Sequence, residues 1–150
     1  MLNNFIHYYI SVDDIHDKDA FISVINYNGS DKDEFLRNVF TAIGIPGDSE
    51  NFDALYDDYC SFYWIKTKPK IFLVHESLPT DKDVLETYLD VLFLSIDFHI
   101  KERSNYTQYI DGEGYVYKRE ELYAYFKIED SDLIKKSYKR FMKDEYGLWL

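Results

Sequence analysis

The apolar run from Ile71 to Val74 constrains the fold of this chain more than any other segment. Four consecutive apolar residues follow Lys68-Pro69-Lys70, without the alternation of apolar and polar residues that a strand with one solvated face shows. Such a run is typical of a strand that is buried on both faces of a parallel sheet. Helical patterns stand on both sides of it in the sequence. We therefore predict an α/β fold with this strand in the interior of a short, largely parallel sheet.

Four segments have apolar residues at the spacing of an amphipathic helix. They lie near residues 31–43, from residue 48 or 49 onward, near residues 81–103, and from residue 130 or 131 onward. Ser30 followed by Asp33 resembles a capping box, and Thr80 followed by Asp83 does so at the third helix. The first and third helices are predicted to flank the sheet.

Alternating apolar and polar residues predict further strands. These stretches are residues 5–12, 21–27, 115–117 and 123–128. The acidic segment between the first two favours a hairpin, and residues 111–114 favour a turn before the third. No repeat divides the chain, and no linker rich in Pro, Gly or Ser does so, so residues 1–150 are predicted to form one domain.

The charge of the chain bears on its partners. Acidic residues outnumber basic residues 28 to 17, and the formal net charge is −11. This charge repels nucleic acid and anionic lipid and attracts basic protein surfaces, so direct binding to nucleic acid or to a membrane is not expected. Solubility alone is the alternative explanation for the charge. The 15 Tyr and 11 Phe exceed what a core of this size needs, so some tyrosines should be exposed beside carboxylates, as on protein-binding surfaces.

Several classes of site are not expected in this chain. Its single cysteine, Cys60, excludes an intramolecular disulfide, and no spacing of Cys and His suits structural zinc, so no metal or cofactor is expected. The first residues do not resemble a signal peptide and no apolar run approaches the length of a membrane span, which favours a cytoplasmic protein. No catalytic template is matched. His75, just after the apolar run, is a catalytic candidate, although a hydrogen-bonded structural histidine is the more common case.

The most informative stretch for function is the second predicted helix, which contains Asp53 and Asp57 four residues apart. Side chains at this spacing lie on one face, here beside Glu50 and away from the apolar stripe. No Lys or Arg occurs between Asp48 and Ile65 to offset their mutual repulsion. This uncompensated acidic face indicates a surface shaped for an external cation. One alternative is an ordinary solvated helix face. The other is acid/base catalysis by Asp53, Asp57 and Glu50, as the paired carboxylates of glycoside hydrolases perform it, which needs a cleft.

Residues 50–57 read Glu-Asn-Phe-Asp-Ala-Leu-Tyr-Asp and follow a turn at Ile45-Pro46. This stretch resembles the signature of the barstar family of ribonuclease inhibitors, in which a helix reading approximately Glu-Asn-Leu-Asp-Ala-Leu-Trp-Asp follows a Leu-Pro-like turn. The resemblance extends over residues 21–74 as the order strand, helix, acidic helix and apolar strand. It implies a barstar-like fold with a core at about 21–103, an N-terminal strand before it, and a C-terminal extension of strand and helix at about 105–150.

In that family, two helix aspartates contact the cationic groups of the ribonuclease active site, where RNA phosphates would lie. The resemblance assigns these contacts to Asp53 and Asp57, with Asn51 at the head of the helix and Tyr56 in place of a tryptophan. Glu50 lies beside them on the acidic face. The resemblance therefore implies a protein that binds a basic partner and has no catalytic activity of its own.

Asp97 is the candidate for a further acidic contact that the family carries on the last helix of its core. Gly47, Asp48 and Ser49 stand where the loop of the family carries aromatic contacts, so part of the usual docking surface is missing. The sequence thus predicts a cytoplasmic inhibitor of a ribonuclease, the immunity half of a toxin pair. An immunity or adaptor module that binds a partner other than a ribonuclease is the alternative.

Overall fold

The computed structural model describes residues 2–45, 51–65, 68–104, 109–110, 116–117 and 121–150. The strands in this part of the chain are β1 (Ile6–Tyr9), β2 (Ala20–Ile25), β3 (Lys70–His75), β4 (Tyr109–Ile110), β5 (Val116–Tyr117) and β6 (Glu121–Lys127). The helices are α1 (Lys32–Ala42), α2 (Phe52–Ser61), α3 (Lys82–Ser104) and α4 (Ser131–Tyr146). Short 3-10 turns lie at Leu2–Phe5, Val12–Asp14 and Ile128–Asp130.

Four of the strands form a parallel sheet with the spatial order β1, β6, β3, β2. β3 lies in its interior, where Ile71 is opposite Phe21 of β2 on one side and Leu122 of β6 on the other. Every residue from Ile71 to His75 is buried. The prediction of an α/β fold with this strand inside a parallel sheet is confirmed. β4 and β5 form a separate antiparallel pair.

The predicted hairpin between the first two strands is wrong. β1 and β2 lie at opposite edges of the sheet, and each is paired in parallel with a different strand. The chain between them crosses one face of the sheet, because Val12 and Ile15 pack against a cluster that contains Phe72 and Val74. Alternation of apolar and polar residues identifies strands, but it carries no information about which strands pair.

The helices α1 and α3 begin one residue later than predicted, and so do their caps. The carboxylate of Asp31 accepts a hydrogen bond of 2.9 Å from the backbone N–H three residues later, and Asp81 does the same at 3.0 Å. These aspartates, and not Ser30 and Thr80, cap the two helices. The N–H of Thr80 donates to the carbonyl oxygen of Gly29, which holds Thr80 in the preceding loop. An aspartate at this position also places negative charge at the positive end of the helix dipole.

Side chains from all four helices join one hydrophobic core on a single face of the sheet. Each helix contributes a side chain that is fully or almost fully buried there, and β3 contributes another: Leu36 of α1, Leu55 of α2, Leu92 of α3, Phe141 of α4 and Leu73 of β3. The two helices predicted to flank the sheet therefore pack on the same face of it. Among the described residues, the opposite face carries a smaller buried cluster to which no α-helix contributes: Tyr9, Ala20, Phe72 and Val74.

Candidate functional site

The acidic helix α2 is capped at its N-terminus by Asn51. The side-chain oxygen of Asn51 accepts a hydrogen bond of 2.7 Å from the backbone N–H of Ala54, while the backbone of Asn51 is extended. This is the usual geometry of an N-cap residue. The helix begins at Phe52, a few residues later than its apolar spacing predicts. Asn51, a predicted partner contact, therefore has a structural role at the head of α2.

The orientation of α2 is set by its packing on α3. Leu55 and Tyr59 are fully buried, and the carbonyl oxygen of Tyr59 accepts a hydrogen bond of 2.7 Å from Nε2 of His99 in α3. The helix ends at Ser61 and is followed by its C-cap residue, Phe62. The φ of Phe62 is 44°, in the left-handed region, and its N–H donates to the carbonyl oxygen of Asp58. A bulky residue is strained there. The buried Phe62 ring stacks on Tyr59 at 5.8 Å between ring centres, and this packing offsets the strain.

The α2 acidic face consists of Asp53 and Asp57. Both side chains are exposed, and their spacing places them on the same side of the helix. In the part of the chain that the structure describes, neither carboxylate forms an ion pair. Asp58 is half-buried; burial raises the pKa of its carboxyl group, and the charge of Asp57 adds to the shift. The sequence analysis did not single out Asp58. Its position in the helix does not show how far tertiary packing buries its side chain.

Tyr56 lies between the α2 acidic face and α3. Burial raises the pKa of its hydroxyl to about 12, and the hydrogen bond to Cys60 and the charges of Asp57 and Asp97 add to the shift. Cys60 is itself buried, and it is the single cysteine of the chain. The structure therefore brings Tyr56, Asp57 and Asp97 into one neighbourhood, with Tyr56 uncharged at neutral pH.

Asp97, the further acidic candidate, is engaged within the protein. Its carboxylate lies 2.7 Å from Nζ of Lys101, one turn later in α3, and accepts a hydrogen bond from the hydroxyl of Tyr146 in α4. These contacts partly offset its charge, so Asp97 offers less to a basic partner than Asp53 or Asp57. The spacing of Asp97 and Lys101 is visible in the sequence, whereas the contact with Tyr146 depends on how α3 and α4 pack.

Part of the predicted contact surface lies outside the described residues. This applies to Glu50. The loop at 47–49, where the aromatic contacts of the family are missing, is outside them as well. The predicted turn at residues 111–114 in the C-terminal extension is also outside them. The role of Glu50 therefore stays a prediction.

His75, the catalytic candidate, is fully buried and hydrogen-bonded at both ring nitrogens. Nδ1 lies 2.9 Å from the carbonyl oxygen of Tyr125, and Nε2 lies 2.6 Å from the hydroxyl of Tyr88. The ring stacks on Phe126 with 4.4 Å between ring centres. Burial lowers the pKa of His75 to about 4, so the ring is neutral at physiological pH. These are the surroundings of a structural histidine.

Two open grooves in the described surface lie away from α2. One, of about 450 Å³, lies between β1 and α4, and the other, of about 480 Å³, lies between β2 and α1. Asp53 and Asp57 line neither of them. Acid/base catalysis by a carboxyl pair needs a cleft that surrounds the substrate and raises the pKa of one carboxyl. Neither groove provides this environment for the two aspartates.

The described residues show neither a metal site nor a membrane-spanning helix. Among them, no group of three or more His, Cys, Asp or Glu side chains could hold a metal ion. None of the described helices combines the length and the apolar character that are needed to cross a membrane.

Replacing Asn51 with alanine is expected to lower the free energy of unfolding by about 1 kcal/mol, because the N–H of Ala54 loses its acceptor. Asn51→Asp should keep the stability, since a carboxylate accepts the same bond and interacts favourably with the helix dipole. Urea unfolding of both variants, followed by circular dichroism, measures the difference. Unchanged stability of Asn51→Ala together with lost partner binding would show that Asn51 acts as a contact and not as a cap.

Comparison of the chain with protein-family models, with curated proteins and with solved structures gave no match. The resemblance to the barstar family accordingly rests on residues 45–57 and on the order of the elements around them. The geometry of α2 and its neighbours is the remaining evidence on function.

Proposed function

We propose that this protein is a cytoplasmic inhibitor of a basic ribonuclease, the immunity half of a toxin pair. The α2 acidic face occupies the places of RNA phosphates in the active site of the partner. The observation that carries the proposal is the pair of exposed carboxylates, Asp53 and Asp57, which form no ion pair among the described residues. The inhibitor performs no catalysis and needs no cofactor.

The fixed position of α2 supports tight binding. The helix is capped by Asn51 and packed on α3 through Leu55 and Tyr59, so little conformational entropy is lost when Asp53 and Asp57 are bound. The carboxylates of Asp53 and Asp57 are held at a fixed spacing. They can accept charge-assisted hydrogen bonds from the cationic side chains with which the partner binds phosphates. The net charge of −11 adds long-range attraction toward a basic partner.

The resemblance to the barstar family supports the same proposal. The chain order β2, α1, α2, β3, α3 is the order that the resemblance implies for its core. Two departures reduce the contact surface, since residues 47–49 lack aromatic side chains and Asp97 is held by Lys101 and Tyr146. The proposed surface is therefore centred on the α2 acidic face, with Tyr56 at its edge.

Titration of the purified protein into the product of the adjacent gene tests this proposal, with cleavage of RNA as the readout. RNA cleavage should fall to zero at a fixed molar ratio, and calorimetry should show an affinity that weakens with added salt. Binding without loss of RNA cleavage would indicate an immunity or adaptor module for a partner other than a ribonuclease. Absence of binding would contradict the proposed pairing.

Neutralising the acidic turn after β1 is expected to slow association with the partner and to leave dissociation unchanged. Asp13 and Asp14 are exposed in a segment separate from α2, so their charge attracts a basic protein without contacting it. The Asp13→Asn/Asp14→Asn variant should associate roughly twofold more slowly at low salt, and the difference should disappear at high salt. Stopped-flow fluorescence measures both rates.

A faster dissociation of this variant would place the turn in the interface and would contradict the steering role. Asp17 is less suitable for the experiment because its carboxylate lies 3.0 Å from Nζ of Lys70. The hydrogen bond from the backbone of Asp19 and the bond from Lys70 lower its pKa, so replacing it removes an internal contact as well as a charge.

A further inference from the structure

The last helix carries a patch of the opposite charge to the rest of the protein. The α4 lysine face consists of Lys135, Lys136 and Lys139, which are exposed on one side of α4. Across the described residues, none of the three forms an ion pair, whereas Arg140 on the same helix pairs with Asp90 at 2.9 Å. Asp132 lies beside the lysines, and the local charge remains positive.

A groove of about 450 Å³ runs between this face and β1. Two of the lysines, Lys135 and Lys139, line this groove. The other lining residues are mostly apolar or aromatic: Ile6, Tyr8, Ile134, Tyr138, Leu150 and Asn3. Nζ of Lys135 lies 5.5 Å from the centre of the Tyr8 ring, so an aromatic ring and a cation already share one wall. Such a groove suits an apolar side chain that is flanked by negative charge.

β1 is also the outermost strand of the sheet on this side. It pairs with β6 alone among the described strands, so one side of its backbone has no strand neighbour there. An edge strand offers N–H and C=O groups to which an extended polypeptide can add as a further strand. The backbone edge and the lysine-lined groove thus lie next to each other.

We infer that the groove between β1 and α4 is a second docking surface, which binds an extended acidic segment of another protein. The segment adds to the β1 edge, inserts an apolar side chain between Tyr8 and Tyr138, and places carboxylates on Lys135 and Lys139. Charge complementarity selects the occupant, because these lysines stand on a chain of net charge −11. Asp53 and Asp57 do not line this groove, so the surface is separate from the proposed inhibitory site.

A polypeptide fits these features better than two other anionic partners. The phosphates of a nucleic acid could contact the lysines, but a nucleic acid has no backbone that can pair with a strand edge. The net negative charge of the protein also repels it. A second copy of this chain would bring the same net negative charge and would suffer long-range repulsion on approach.

Selection from a displayed library of random heptapeptides on the intact protein tests this inference. Enriched peptides should contain an aromatic or aliphatic residue between acidic residues, and labelled copies should bind in fluorescence anisotropy. Lys135→Glu/Lys139→Glu should weaken that binding by roughly tenfold or more and should leave binding at the α2 acidic face intact. Hydrogen exchange should slow, when the peptide is bound, at those amides of Ile6–Tyr9 that point away from β6.

The matched control is Lys32→Glu/Lys82→Glu, which makes the same charge change at exposed positions in the first turns of α1 and α3. This control should bind the peptides as the unaltered protein does. The inference is overturned if no acidic peptide is enriched, or if the α4 variant and the control lose affinity equally. It is also overturned if the α4 variant abolishes binding of single-stranded RNA, or abolishes self-association in sedimentation, since either result would identify a different occupant.

Discussion

Replacing both Asp53 and Asp57 with alanine is expected to weaken binding to the basic partner by about 4 kcal/mol, roughly a thousandfold. Each carboxylate is exposed in the free protein and, in the proposed complex, is desolvated against a cation, so removing one leaves that cation buried and unpaired. Each single variant should lose about 2 kcal/mol or more. Isothermal titration calorimetry of the single and double variants measures these losses.

Folding should be nearly unaffected by the same changes. Asp53 lies in the first turn of α2 and gains slightly from the helix dipole, whereas removal of Asp57 relieves the repulsion between the two carboxylates. The matched control is Asp33→Ala/Asp83→Ala, which removes two exposed carboxylates from the first turns of α1 and α3. Equal losses of affinity in the two double variants would mean that the acidic helix attracts partners only through net charge.

Replacing His75 with leucine is expected to lower the free energy of unfolding at pH 7 by about 3 kcal/mol. The carbonyl oxygen of Tyr125 can only accept, so Nδ1 of His75 carries the proton and Nε2 accepts from the hydroxyl of Tyr88. The Tyr88 oxygen then accepts from the hydroxyl of Tyr59, at 3.1 Å. Leucine has a similar size, but it leaves a buried acceptor and a buried donor without partners, and each costs about 1 to 3 kcal/mol.

The same histidine should make the protein less stable in acid. Burial lowers its pKa from 6.5 to about 4, so the folded protein resists protonation that the unfolded chain accepts. Its stabilising contribution is complete above about pH 6.5 and is lost as the pH falls toward 4, by about 3 kcal/mol in total. The difference in stability between the unaltered protein and His75→Leu should therefore shrink over this range.

Urea unfolding at pH 7 and at pH 4.5 measures both effects. A double-mutant cycle with Tyr88→Phe adds a sharper test, because removing donor and acceptor together should cost less than the sum of the single changes. Tyr63→Phe removes an exposed hydroxyl and is the control, with little expected change. A stability difference between His75→Leu and the unaltered protein that does not depend on pH would contradict the neutral, buried state of His75.

The helices, strands and exposed residues that depend on neighbouring side chains could be predicted from the sequence. The apolar run at Ile71 to Val74 identified the interior strand. Helical spacing placed α1 and α3 within one residue of their observed bounds, and it placed the start of α4 within one residue of Ser131. The exposure of Asp53 and Asp57 followed from their position opposite the apolar stripe of α2. In each case the signal comes from side chains a few residues apart, whose directions the backbone geometry determines.

Only the tertiary structure decided the partners of these elements. β1 pairs with β6 near the other end of the chain, where Ile6 lies opposite Ala124, and not with β2 as a local hairpin would require. The hydrogen bonds of His75 with Tyr125 and of Asp97 with Tyr146 likewise join residues on distant elements. Such pairings depend on which apolar faces can be buried together over the whole chain. The spacing of apolar side chains carries no information about which faces pack together. The sequence by itself therefore determined the main helices and strands and the exposed pair Asp53 and Asp57. The packing of the core determined how the helices and strands are arranged.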